Sequence, residues 1–162
     1  MGGPMTITRR ADYAVRLMYE LAQLPDGLTL SIRDLCEAAD VPASFGTPLV
    51  EFLIEARLVT ASGHRDHLLS LAHPASEITM AEIVRVCDPD FSLAPCTLDP
   101  ASCDRSARCG VHRMWTHLDG IVWGELDRVT LAQVAAGGYV PTDITAPSVD
   151  TSSVMRTSPP FR

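Results

Sequence analysis

The sequence predicts a mainly α-helical fold with a small β-wing: a winged helix-turn-helix domain followed by a cysteine-rich loop and a long dimerisation helix. Three observations predict it. Apolar residues recur at helical spacing in several segments, and a tight break at residues 40–42 joins two of the shorter ones. Two short apolar runs flank a polar tip at residues 62–67, as in a β-hairpin. The 162 residues are enough for one domain with an appendage.

The helix-turn-helix occupies the first third of the chain. Apolar spacing predicts a first helix within residues 7–24, and Ser31 can cap a second helix because Asp34 follows three residues later. A third apolar-periodic segment follows the break at residues 40–42. Proline is tolerated only in the first helical turn, so Pro48 predicts that this third helix begins near Thr47 or is distorted.

The wing and a fourth helix complete the predicted DNA-binding domain, which spans residues 5–87. We expect the hairpin strands at residues 58–59 and 68–71, and the fourth helix within residues 78–87. Cys36 and Cys87 fall on the apolar faces of their helices. We therefore interpret both thiols as core residues and not as ligands.

The remaining chain divides into a loop, a long helix and a tail. Residues 88–110 have little apolar periodicity, and loops of that length inside compact domains usually have a function. Residues 111–136 are predicted to form a long helix and a short last helix capped by Thr130, and residues 137–162 a disordered tail. Apolar side chains cover well over half of the long helix, so a partner helix and a homodimer are predicted. The expected dimer contacts are Trp115, Leu118, Ile121, Val122 and Trp123.

Composition and charge exclude several classes of protein. The chain is 46% hydrophobic and 20% charged, which is typical of globular proteins, and its net charge of −7 argues against non-specific nucleic-acid binding. No apolar run is long enough to cross a bilayer and no signal segment is visible, so we expect a cytoplasmic protein without a membrane partner. No catalytic triad, phosphate loop or carboxylate pair is present, so an enzyme is not expected. An odd number of cysteines, five, favours metal or redox chemistry over a disulfide framework.

Three thiols and an imidazole lie within seventeen positions, as Cys96-x6-Cys103-x5-Cys109-x2-His112. Thiolates are soft ligands and imidazole is borderline, so the set can hold a zinc ion or an iron-sulfur cluster. The spacing is not that of a zinc finger. From spacing alone, a loop with free thiols and a helix-capping histidine stays open as the alternative.

Four further motifs occur along the chain. They are TITRRADYAVR at residues 6–16, LAHP at 71–74, EIT at 77–79 and TLA at 130–132, with the three-cysteine loop between the last two. In this the chain resembles the winged-helix iron-sulfur regulators of the IscR/NsrR (Rrf) family. The resemblance implies a homodimeric transcription factor that binds a palindromic promoter site in double-stranded DNA. It also implies that an iron-sulfur cluster, responding to redox state, nitric oxide or cluster supply, sets promoter affinity.

The resemblance leaves two candidates for the fourth ligand of the cluster. A histidine three residues after the last cysteine, here His112, completes a [2Fe-2S] site in IscR-like members. An aspartate from the first helix of the other subunit, here Asp12, completes a [4Fe-4S] site in some NsrR-like members. Because residues 109–115 match around His112, the resemblance favours His112 and a [2Fe-2S] cluster, with [4Fe-4S] as the alternative.

The expected DNA-reading parts depart from the family pattern. The wing tip has a single glycine, and Glu51 and Glu55 replace basic residues expected in the third helix. An alternative function is therefore a cluster- or metal-binding dimer that has lost specific DNA binding and acts through protein contacts. The candidate phosphate contacts are Arg9, Arg10, Arg16, Arg33, Arg57 and Arg65. The candidate base contacts are Ser44, Phe45 and Thr47.

Overall fold

The computed structural model describes residues 7–63 and 68–140. Within them the chain is mainly helical, with one small antiparallel sheet. Helices and strands follow in the order α1 (Arg9–Ala22), β1 (Leu30–Ser31), α2 (Ile32–Ala38), α3 (Ala43–Glu55), β2 (Val59–Ser62), β3 (Leu68–Leu71), α4 (Met80–Cys87), α5 (Pro95–Leu98), α6 (Gly110–Arg128) and α7 (Leu131–Ala135). Two 3₁₀ turns, Pro100–Ser102 and Ser106–Arg108, lie between α5 and α6. No helix in the described ranges is long and apolar enough to span a membrane.

The first two helices begin at side-chain caps. The Thr8 hydroxyl accepts a hydrogen bond from the N–H of Ala11 at 3.3 Å, and the Ser31 hydroxyl accepts one from the N–H of Asp34 at 3.2 Å. The predicted cap of α2 is therefore confirmed. The apolar face of α1 is buried against α3 and α4, which places the core between these helices. Cys36 and Cys87 are both buried in that core, as predicted.

The recognition helix α3 begins earlier than the sequence suggested. It starts at Ala43, and a helix start near Thr47 is wrong. The carbonyl of Pro42 accepts the N–H groups of Phe45 and Gly46 at 2.8 and 2.9 Å, so the first turn forms before Pro48 is reached. Pro48 lies on the exposed side of a continuous helix, where its ring meets solvent and its missing N–H removes one hydrogen bond only.

Helices α2 and α3 are closely packed at a glycine of α3. A Cβ atom built on Gly46 would overlap the Sγ atom of Cys36, so only glycine fits at this crossing without a shift of the buried thiol. The two helices with this tight contact form the predicted helix-turn-helix.

The wing is a three-stranded sheet with strand order β1-β3-β2. Strands β2 and β3 form the predicted hairpin, with Val59 opposite Leu71 and Ser62 opposite Leu68. The hairpin is confirmed, although β2 extends to Ser62 and does not end at Val59. The tip at residues 64–67 lies outside the described residues.

The start of α4 and the start of α7 are joined at one point. Thr79 and Thr130 form an isolated antiparallel bridge, and each opens its helix with a capping box. The N–H of Met80 donates to the carbonyl of Val129 at 2.9 Å. The EIT and TLA motifs, far apart in sequence, are therefore neighbours that return the chain from α6 to the winged helix.

The region predicted as an irregular loop contains short ordered segments. Helix α5 and the two 3₁₀ turns lie within residues 88–110, and α6 already starts at Gly110. The expected division at residues 5–87, 88–110 and 111–136 stays a prediction. Most of the expected disordered tail, residues 141–162, lies outside the described residues.

Candidate metal centre and nucleic-acid interface

The chain after α4 is held against α6 by two contacts. The ring of Phe91 meets the ring of Trp123 edge to face, with centroids 5.7 Å apart. The N–H of Leu93 donates to the Oδ1 atom of Asp119 at 2.7 Å, and Asp119 is a buried carboxylate on α6. Sequence reasoning missed Asp119, and its signal is an acid placed between the apolar residues Leu118 and Ile121 of the helix. The start of the cysteine loop is therefore fixed to the long helix.

The three loop cysteines lie on successive short segments. Cys96 belongs to α5, Cys103 ends the first 3₁₀ turn and Cys109 is the N-cap residue of α6, and all three are partly buried. The buried hydroxyl of Ser106 lies 2.8 Å from the carbonyl oxygens of both Pro100 and Cys103, which closes the turn between the second and third thiols.

The structure brings only some of the predicted ligands together. Cys103 and His112 line one cleft of about 510 Å³, and Cys96 and Cys109 are not among its lining residues. Over residues 7–63 and 68–140, no three or more His, Cys, Asp or Glu side chains are grouped so as to hold a metal ion. The four-ligand set therefore stays a prediction.

Two of these residues nevertheless have the chemistry of ligands. Hydrogen bonds from the backbone N–H groups of His112 and Val111 lower the pKa of the Cys109 thiol. Desolvation opposes them with a smaller effect, and the cations of Arg105 and Arg113 each lower the pKa by less still. The Nδ1 atom of His112 is buried and has no hydrogen-bond partner in the described structure. A thiolate-favouring cysteine and an unsatisfied imidazole nitrogen suit a metal or iron-sulfur centre, because such a centre satisfies both.

The alternative ligand Asp12 lies elsewhere, on α1. Its carboxylate forms an ion pair with Arg16 at 3.0 Å, and both side chains are about half exposed. It is therefore accessible to another molecule, and its role as a ligand for a second subunit stays a prediction.

The predicted DNA contacts on α1 and α3 form one surface. Phe45 on α3 packs edge to face on Tyr13 of α1 at 5.9 Å, and the guanidinium of Arg10 lies over the ring of Phe52 at 5.1 Å. Arg16 similarly covers Tyr13 at 5.8 Å. Aromatic packing therefore holds two of the arginines beside the recognition helix.

The other predicted DNA contacts that the structure describes are also at the surface. Arg57 adopts the left-handed region with φ of 60° at the turn into the wing. Arg65 lies outside the described residues. The exposed candidates are Arg9, Arg33, Ser44, Thr47 and Arg57.

The outer side of α6 carries an uncovered apolar stripe. Asp119 is buried, whereas Met114 and Ile121 are each nearly half exposed and Leu118 is partly exposed. Trp123 differs from the other predicted dimer residues because its ring packs on its own chain. The uncovered stripe comprises Val111, Met114, Trp115, Leu118, Ile121 and Val122.

A second contact of Trp123 joins α6 to α4. The guanidinium of Arg85 covers the indole at 4.7 Å and donates two hydrogen bonds to the carboxylate of Asp127, at 2.8 and 3.1 Å. The hydrogen bond from Arg85 lowers the pKa of the Asp127 carboxyl below its ordinary value. The inner side of α6 is therefore fastened to the winged helix while its outer side is open.

Comparison with known proteins agrees with this architecture. The sequence model of the Rrf2 family, described as iron-dependent transcriptional regulators, matches residues 7–137. An HTH-type transcriptional regulator of Mycobacterium tuberculosis H37Rv is 32% identical over 143 residues, which cover 86% of each chain. Among solved structures, the oxidized form of Staphylococcus aureus CymR has a TM-score of 0.65 at 22% identity, covering 85% of this chain and 99% of that one. T. potens IscR has a TM-score of 0.66 at 19% identity, covering 83% and 88%. These likenesses confirm the winged-helix fold, and the match over residues 7–137 shows that the chain belongs to the Rrf2 family of transcriptional regulators.

Proposed function

We propose that this regulator is a homodimer that binds a palindromic site in double-stranded DNA and that an iron-sulfur cluster sets its promoter affinity. One observation supports the cluster most strongly. The buried, unpartnered Nδ1 atom of His112 lies one turn after Cys109, whose thiolate is favoured, at the start of the helix with the uncovered apolar stripe. A sensing centre at that position is adjacent to the proposed dimer contact.

Cys96, Cys103 and Cys109 are the proposed thiolate ligands, with His112 as the fourth ligand of a [2Fe-2S] cluster. When bound, the cluster supplies a centre that responds to redox state, nitric oxide or cluster supply. The backbone N–H groups at the start of α6 stabilise the Cys109 thiolate, and Ser106 positions Cys103 through its carbonyl. If Asp12 of a second subunit is the ligand instead, a [4Fe-4S] cluster is expected.

The proposed dimer forms through the outer side of α6. The stripe positions Val111 and Leu118 are seven residues apart, as are Met114 and Ile121, which is the heptad spacing of helices that pair side by side. Burying these side chains removes apolar surface from water at about 25 cal/mol per Å². A second α6 helix is the partner that matches this stripe.

DNA binding is proposed to use α3 in the major groove and the arginines of α1 and the wing on phosphates. A dimer presents two such helices, and their spacing must match the two half-sites of a palindrome. The cysteine loop lies between α4 and α6, so a change in cluster occupancy can alter the angle between the two winged helices. Affinity for the promoter then follows cluster state.

Anaerobic purification with visible absorption and iron and sulfide analysis tests the cluster. His112→Ala should change the absorption and the iron content if His112 is a ligand, whereas His117→Ala, an exposed histidine on the same helix, is the matched control. Asp12→Asn should have that effect instead if the second subunit supplies the ligand. Protein without iron or sulfide after anaerobic preparation contradicts the proposal, and stoichiometric zinc would keep the ligands but remove the sensing mechanism.

The alternative function, a dimer that has lost specific DNA binding and acts through protein contacts, is favoured by one observation. Glu51 and Glu55 are exposed on α3, where they repel phosphates. A binding selection with genomic DNA decides between the two functions. Enrichment of a palindrome supports the regulator, and enrichment of none by either the cluster-loaded or the cluster-free form supports the alternative.

A further inference from the structure

The exposed side of α3 presents an unusual set of chemical groups. Ser44, Pro48 and Glu51 follow one another at intervals of four and three residues, so they lie along one stripe of the helix. All three are exposed, and the opposite side of α3, which includes Leu49 and Leu53, is buried. We call Ser44, Pro48 and Glu51 the α3 stripe. It is the part of α3 that faces away from the protein.

The recognition helix has no basic or amide side chain. Between Ala43 and Glu55 the side chains that can form hydrogen bonds are Ser44, Thr47, Glu51 and Glu55. Reading guanine by a bidentate arginine, or adenine by a bidentate asparagine or glutamine, is therefore unavailable to α3. The hydroxyls of Ser44 and Thr47 can donate or accept a hydrogen bond, whereas the carboxylates of Glu51 and Glu55 only accept.

A carboxylate is selective among the base edges of the major groove. It only accepts hydrogen bonds, and the donors presented there are the N4 amino group of cytosine and the N6 amino group of adenine. Adenine also presents the acceptor N7 beside its amino group, and guanine presents two acceptors, so each places a lone pair against the carboxylate. Cytosine is the base that offers a donor without an acceptor on its own major-groove edge; the adjacent acceptor is O6 of the paired guanine.

Glu51 is better placed for this contact than Glu55. Recognition helices contact base edges mainly toward their N-terminal end, and Glu51 lies one turn closer to that end of α3 than Glu55 does. Glu55 is the last residue of α3. Within the described residues the Glu51 carboxylate has no hydrogen bond or ion pair that already engages it. Arg10, held over Phe52, supplies a cation on the neighbouring side of the helix.

We propose that Glu51 is a specificity-determining residue that selects cytosine at one position of each operator half-site by accepting a hydrogen bond from its N4 amino group. This inference rests on the proposed DNA binding. A carboxylate among phosphates weakens binding to every sequence, so its benefit is discrimination between sequences and not affinity. Two consequences follow for its neutral amide variant: general affinity for DNA rises, and the base preference at that position changes toward adenine, which an amide can contact bidentately.

The test is an in-vitro selection on a random double-stranded DNA library with the full-length, anaerobically purified protein and with Glu51→Gln and Glu55→Gln. Anisotropy titrations at fixed salt then compare the selected site with its single-base variants. We expect the original protein to require cytosine at one symmetric position and to lose roughly 10- to 100-fold in affinity when it is replaced. Glu51→Gln should lose that preference and bind unrelated DNA more tightly, whereas Glu55→Gln should raise affinity and keep the cytosine preference.

Two results would overturn the inference in distinguishable ways. If Glu51→Gln selects the same site with the same cytosine preference, DNA binding stands and the role of Glu51 is wrong. If the original protein enriches no palindrome, the proposed DNA binding fails and the role of Glu51 fails with it. Glu51 is exposed, and a far-UV circular dichroism spectrum matching that of the original protein verifies that the variant is folded.

Discussion

Replacing Gly46 by alanine tests the packing of the helix-turn-helix most directly. A Cβ atom at this position overlaps the Sγ atom of Cys36, whereas its distances to Val41 Cγ1 and Cys36 Cβ, 3.5 and 3.7 Å, are ordinary contacts. The clash therefore involves a single sulfur atom. Cys36 is 4% exposed, so its thiol has little free space to move into. The steric cost should disappear when Cys36 is itself shortened to alanine.

The two opposing effects can be given magnitudes. Alanine is favoured over glycine inside a helix by about 1 kcal/mol, and overpacking a core costs about 1–3 kcal/mol. In the original protein we expect Gly46→Ala to lower the free energy of unfolding by about 1 kcal/mol. In the Cys36→Ala background the clash is absent, so the same change should raise the free energy of unfolding by about 1 kcal/mol, a difference of about 2 kcal/mol between backgrounds.

Urea unfolding of the four proteins in this double-mutant cycle, followed by far-UV circular dichroism, measures both changes. The protein concentration and the reduced state of the thiols must be the same throughout, because dimer formation and oxidation both shift apparent stability. Equal effects of Gly46→Ala in the two backgrounds, within about 0.5 kcal/mol, would show that the thiol is not what restricts position 46.

Three further predictions concern α6 and its connections. Ile121→Asp should convert the dimer to monomer in sedimentation velocity, because an apolar dimer contact cannot solvate a charge. Thr116→Asp, on another side of α6, should leave the dimer intact. A dimeric Ile121→Asp variant would contradict the proposed contact. In cluster-free protein, the lowered pKa of Cys109 should bring its alkylation to half its maximal rate at a lower pH than for an unstructured cysteine peptide. Val111→Pro removes one of the stabilising N–H groups and should move this midpoint to higher pH; an unchanged midpoint would exclude the N–H contact as a cause. Arg85→Ala should lower the urea concentration at the unfolding midpoint and increase the fluorescence of the Trp123 indole, which Arg85 covers. Arg85→Lys should recover only part of the lost stability, because lysine cannot donate the bidentate pair of hydrogen bonds to Asp127. Full recovery with lysine would show that charge alone accounts for the contact.

The winged helix could be predicted because its signals are local. A hydroxyl followed three residues later by a carboxyl or amide group marks the helix starts at Ser31, Thr79 and Thr130, and two short apolar runs on either side of a polar tip mark the hairpin. Pro48 gives a wrong start for α3 because a proline inside a helix removes only one backbone hydrogen bond. The helix begins where the carbonyl of Pro42 accepts the first N–H groups, and no capping side chain marks that position in the sequence.

The site was harder to predict because its contacts join distant parts of the chain. The sequence indicates which side chains can bind iron, but the pairing of Leu93 with Asp119 and the position of Trp123 beneath Arg85 depend on how α6 folds back. Trp123 has the apolar character of a dimer residue, and only tertiary packing reveals that its ring is engaged within its own chain. The buried nitrogen of His112 likewise has no counterpart in residue spacing.

The bridge between Thr79 and Thr130 closes residues 80–129 into one loop, which consists of α4, the cysteine-containing segment and α6. Met80, its first residue, donates its N–H to the carbonyl of Val129, its last residue, at 2.9 Å, so the two ends of the loop meet. A segment with joined ends can gain, lose or exchange residues without displacing the body to which it is attached. Because the buried residues of α4 belong to the core, the exchangeable part of this loop is residues 88–128. The DNA-reading module, including α4, can be kept while an insert with different sensory chemistry replaces those residues, in evolution or by design.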